Sequence, residues 1–107
     1  MNQFELFTTI FYVLDAAWDK SKDEELGDFL SGANPFLFED SGSADPAVFA
    51  EFCEQVPREI SVGSSYQIAC QYIESLHNRK IRDAFLSFDE QAWHKVLKEY
   101  LAAPHKR

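Results

Sequence analysis

At 107 residues, 46% hydrophobic and 15% aromatic, the chain is long enough for one domain with a real core and too aromatic to be disordered. Its formal charge of −8 disfavours nucleic acid and anionic membrane surfaces, both polyanions, and favours basic proteins as partners. The charge is lopsided: the first sixty residues hold thirteen acidic and three basic side chains, and the remaining forty-seven hold five and seven. Eight of the ten Phe residues fall in the acidic half, between Phe4 and Phe52.

Phe4, Phe7, Phe11, Leu14 and Trp18 recur at i, i+3 and i+4 spacing and predict a helix over residues 3–19. Leu6, Ile10, Val13 and Ala17 widen its apolar face to about half the circumference, the mark of a central helix packed from more than one side. Asp15 sits at the edge of that face beside Phe4 and Phe11, within reach of solvent. Ser21-Lys22-Asp23-Glu24 matches a capping box opening a second helix. Leu26, Phe29 and Leu30 form its apolar face, and Gly32 is its expected stop. Asp23, Glu24 and Glu25 occupy the first turn, where acids meet the positive end of the helix dipole.

Residues 33–45 form a long connection with turn signals at Asn34-Pro35 and Ser41-Gly42-Ser43. Connections of this length tend to carry function, and Phe36-Leu37-Phe38 suggests a segment pinned by its rings. Residues 40–45 depart from a calcium-binding EF-hand loop, because Gly42 and Ala44 stand where its third and fifth ligands belong. A weak cation site from Glu39, Asp40 and Asp45 is the lesser reading. Asp45 is better explained as a helix cap followed by Pro46 at the first helical position.

That third helix presents Val48, Phe49, Phe52, Cys53 and Val56 on one face and ends at Pro57. A fourth, over about residues 64–77, carries Tyr66, Ala69, Cys70, Ile73 and Leu76 in phase. Ile81, Ala84 and Phe85 mark a shorter fifth helix, or the continuation of one bent helix. Ser87-Phe88-Asp89-Glu90 is a second capping-box match, opening a helix with Trp93, Val96, Leu97, Tyr100 and Leu101. No alternating pattern competes. The expected fold is all-α, a single domain over residues 1–107, in a compact, partly orthogonal bundle of five to six helices.

Little in this pattern carries chemistry. There is no Gly-x-Ser-x-Gly elbow, and seven residues separate Cys70 from His77, about 10 Å along a helix. His77, His94 and His105 show no i, i+4 pairing with one another. Glu90 and His94 do, which reads as a surface contact. The basic run 78–82 suits a helix terminus. Cys53 and Cys70 lie on apolar faces and read as buried thiols of a reducing compartment, with a Cys53–Cys70 bridge as the alternative. The start of the chain lacks a basic leader, and no stretch approaches the roughly 20 apolar residues of a membrane span. The expectation is a cytoplasmic protein that is not an enzyme and has no catalytic, cofactor or metal residue.

What remains is surface. Asp23, Glu24, Asp28, Glu39 and Asp40 are expected to steer a basic protein partner, with Phe36 and Phe38 as anchors. The corresponding function is a non-catalytic protein-interaction domain: an adaptor, an inhibitor or an immunity-like protein. The alternative is a homo-oligomeric structural or accessory subunit with the Phe-rich face of the first helix at its interface.

Overall fold

One nineteen-residue helix organises the molecule. In the computed structural model, which describes residues 1–35 and 43–102, α1 (Gln3–Ser21) is followed by α2 (Glu24–Ala33), α3 (Pro46–Gln55), a 3₁₀ turn (Val62–Ser64), α4 (Ser65–Ser75), α5 (Arg79–Leu86) and α6 (Glu90–Ala102). The described residues are an all-α bundle, and their one β feature is an isolated bridge between Asn2 and Glu59. α1 packs against each of the other five helices, as its width requires. Leu6, Phe7, Thr8, Thr9, Ile10, Val13, Leu14 and Ala17 are all buried. Of the Phe side chains that the oligomer reading assigned to a subunit interface, Phe7 is buried under the chain's own helices, and Phe4 and Phe11 are half-buried.

α1 opens with a reciprocal capping box. Asn2 Oδ1 accepts from the Glu5 N–H and Glu5 Oε1 from the Asn2 N–H, each at 2.8 Å. Gln3 then reaches across the molecule. Its Nε2 donates to the carbonyls of Cys53 and Val56, both at 3.0 Å, satisfying acceptors that the end of α3 leaves open.

The two capping-box strings work differently from expectation, and in the same way. Ser21 stays in α1, Lys22 turns left-handed as its C-cap (φ 53°), and Asp23 caps α2 by accepting from the Leu26 N–H at 3.0 Å. Likewise Ser87 closes α5, and Asp89 accepts from the Ala92 N–H at 2.8 Å to open α6. In each Ser-x-Asp-Glu string the hydroxyl belongs to the outgoing helix and the carboxylate to the incoming one. The physical reason is proximity: the orphan N–H groups lie nearer the Asp, whose charge also suits the helix dipole.

Gly32 lies inside α2 and does not stop it. The helix gives way at its C-cap Asn34, held out of the helical region (ψ 118°) because the ring of Pro35 disfavours the helical conformation in the residue before it. Residues 36–42 lie outside the described residues, and with them the expected pinning by Phe36 and Phe38. The ends of that connection are clasped together, with Ala44 N–H donating to Asn34 O and Asp45 N–H to Gly32 O, both at 2.8 Å. Asp45 and Pro46 start α3 as read. α4 and α5 are separate helices, divided by His77 (φ 50°) and by Asn78, which caps α5.

The core has two aromatic centres. Phe52 packs edge-on against Phe7 (5.0 Å between centroids) and Tyr72 (4.7 Å). Phe85 and Trp93 meet at 5.7 Å, with Tyr66 alongside. The buried Trp93 indole donates to Ser65 Oγ at 3.0 Å, and that hydroxyl donates to Val62 O at 2.7 Å.

Candidate functional site: the acidic corner of the first two helices

α2 is amphipathic in the simplest sense. Leu26, Leu30 and Ala33 turn inward, while Glu24, Glu25, Asp28 and Ser31 are exposed. At 100° per residue, Glu24, Asp28 and Ser31 fall within about a sixth of the circumference, with Glu25 about 60° beyond that sector. Among the described residues none of these three carboxylates takes part in an ion pair.

The other predicted acids divide. Asp23 is engaged within the protein. It caps α2 and lies 3.3 Å from Lys80 Nζ of α5. The Leu26 N–H, and then Lys80, outweigh the opposing effect of burial and hold its carboxyl below the ordinary aspartate range. Its charge therefore joins two helices as well as facing outward. Asp19 pairs with Lys22 at 3.1 Å. Glu39, Asp40, Phe36 and Phe38 lie outside the described residues. The structure thus brings Glu24 and Asp28 together and commits Asp23 to a structural bond.

Beside this face lies a groove of about 210 Å³, walled by Phe11, Asp15 and Trp18 of α1 and by Gly27, Leu30 and Ser31 of α2. Trp18 is half-buried, and Asp15, as expected, is exposed. Gly27 permits the close approach of the two helices: a Cβ there would come within 2.9 Å of Trp18 Nε1. Lys22 Nζ stands 4.0 Å from the centre of the Trp18 ring. The sequence reading placed Trp18 in the apolar stripe and missed its part in this wall. The available signal was Gly27 in the middle of an otherwise ordinary helix, a residue that usually has a packing reason there. Gly27→Ala is expected to displace the indole while leaving stability within about 1 kcal/mol, because the gain in helix propensity offsets the crowding. The Trp18 indole N–H resonance and a urea melt report the two effects separately.

The reactive side chains elsewhere are quiet. Cys53 and Cys70 are free and half-buried rather than fully buried. Burial pushes both thiols up, with a hydrogen bond from Tyr66 opposing it at Cys70, so neither is a thiolate at neutral pH. Burial and Glu51 push the Tyr72 hydroxyl up to about 12. His94 and Glu90 form the expected contact on α6, at 3.5 Å. No group of three or more His, Cys, Asp or Glu side chains is placed to hold a metal among the described residues. No helix there is long and apolar enough to cross a membrane.

Comparison with family models, curated proteins and solved structures gives no match. What fold and surface define together is a class: a small all-α bundle with an acidic, aromatic-edged corner.

Proposed function

We propose that this chain is a non-catalytic protein-interaction domain that binds a basic protein partner through the acidic corner formed by α1 and α2. The observation that carries this reading is the pair of exposed carboxylates Glu24 and Asp28, unpaired among the described residues and in the same sector of α2 as Ser31 of a groove walled by Phe11 and Trp18, with exposed Glu25 further round the helix. Charges for long-range attraction beside aromatic surface for short-range anchoring is how many interfaces are built. Glu39, Asp40, Phe36 and Phe38 extend the same reading along the following connection. An adaptor, inhibitor or immunity-like role fits a domain of this kind, acting in the cytoplasm.

The test is kinetic. A partner is captured from the native source at low salt and released at high salt. Replacing Glu24, Glu25 and Asp28 together by Lys is then expected to slow association by about tenfold or more with little change in dissociation, and added salt to do the same to the unaltered protein. A partner whose association rate ignores both changes refutes the reading.

A further inference from the structure

We infer that the corner between α1 and α2 is a receptor for one cationic side chain, arginine or lysine, projecting from a protein partner. This deepens the proposed function and rests on its reading that the partner is basic. It adds a site built from Trp18, Asp15, Asp19 and Gly27, none of which belongs to the acidic run that steers the approach.

Three observations converge. The first is that the protein already places a cation there. Lys22 Nζ lies 4.0 Å from the Trp18 ring centre and 3.1 Å from Asp19 Oδ1. An ammonium held between an indole and a carboxylate is the arrangement by which proteins recognise cationic side chains. The second is what holds Lys22. It is a non-glycine residue in the left-handed region (φ 53°) at the end of α1, where glycine is the unstrained choice. The third is charge left over. Asp15 lines the adjoining groove, is exposed, and enters no ion pair among the described residues, while Glu24 and Asp28 share the sector of α2 that holds Ser31 of the groove wall and likewise enter no ion pair there. The single ammonium of Lys22 does not balance that field. A planar guanidinium would suit the site well, since it can lie against an aromatic wall and fork onto a carboxylate at once.

Lys22 then acts as an internal occupant that a partner's cation displaces or joins. Two other cavities among the described residues lack this imbalance. The larger, about 410 Å³ between α1, α2 and α5, has Lys20 and Lys80 set against Asp23 and Asp83. The one at the α4–α5 turn, about 280 Å³, has Arg79 and Arg82 facing Glu74, with Asp83 also beside both arginines.

The experiment uses a hexa-arginine amide peptide as probe, titrated into the full chain at fixed low ionic strength. The Trp18 indole N–H resonance reports the site, and the buried Trp93 serves as internal reference. Lys22→Gly removes the internal cation, and Lys20→Gln removes the same charge two residues away while leaving Lys22 in place. Lys22→Gly is expected to tighten binding about threefold beyond whatever Lys20→Gln achieves. Trp18→Leu is expected to weaken it by about three- to tenfold, and Trp18→Phe to restore most of the loss. Circular dichroism melts confirm that each variant folds. Equal effects of Lys22→Gly and Lys20→Gln, or a Trp18 resonance that stays still while the peptide binds in a salt-sensitive way, overturn this inference and leave the acidic-face reading standing. A peptide that binds no variant overturns both.

Discussion

Phe52→Ala is expected to cost about 3–5 kcal/mol, the largest loss of any single side chain in α3. The ring is fully buried, and it is the one buried residue that α3 contributes. It meets Phe7 of α1 at 5.0 Å and Tyr72 of α4 at 4.7 Å, with Phe49 stacked beside it at 6.2 Å. Removing it opens a cavity at the point where three helices join, and edge-to-face aromatic contacts go with it. A domain of this size has a total stability of about 5–15 kcal/mol, so the variant stands near the edge of folding. Urea melts check this. The midpoint should fall sharply with an unchanged slope. Phe49→Ala, at a half-buried ring, should cost about half as much. A Phe52→Ala loss below about 1.5 kcal/mol would mean that α3 does not close over the core as described.

The second large effect concerns a buried polar pair. Trp93 and Ser65 are both fully buried. The indole N–H has the Ser65 hydroxyl as its acceptor at 3.0 Å. Ser65→Ala strands that donor away from water and is expected to cost about 1–3 kcal/mol, although the substitution deletes a single oxygen. Trp93→Phe removes the donor along with some volume, at a cost of about 2 kcal/mol. The double variant should be less destabilised than the two losses added, by about 0.5 kcal/mol or more, because with the indole gone the missing hydroxyl leaves no donor unpaired. A double-mutant cycle by urea denaturation measures that coupling. Strict additivity would show that the hydrogen bond does not hold α4 to α6.

Much of this molecule could be read along the chain, where the governing forces are local. The apolar stripe of α1 appears because side chains 3.6 residues per turn apart must share a face, and its width foretold contacts on several sides. Asp45-Pro46 announced a helix start because an aspartate cap and a proline at the first position need nothing from elsewhere. Asp15 at the edge of that stripe was correctly placed in solvent. The outward set of Glu24 and Asp28 follows from the same periodicity.

The misreadings also have local causes. Both Ser-x-Asp-Glu strings offered two caps to one junction, and the choice depended on where the preceding helix ended. Gly32 was read as a stop although Pro35 three residues later imposes one more firmly. Trp18 was placed in the apolar stripe without its part in the groove wall, because periodicity registers an apolar side chain without showing what stands opposite. That required α2 to lie close enough for Gly27 to meet the indole.

Local pattern, then, determined the helices, their inward faces and the acidic character of α2, since each depends on neighbours within a few residues. Tertiary structure alone decided the rest. Gln3 closes a helix about fifty positions away, Lys80 of α5 claims Asp23 at 3.3 Å, and Ser65 accepts the hydrogen bond of an indole N–H 28 residues distant. Such partners are chosen by the packing of whole helices, which brings together groups whose separation along the chain gives no hint that they will meet.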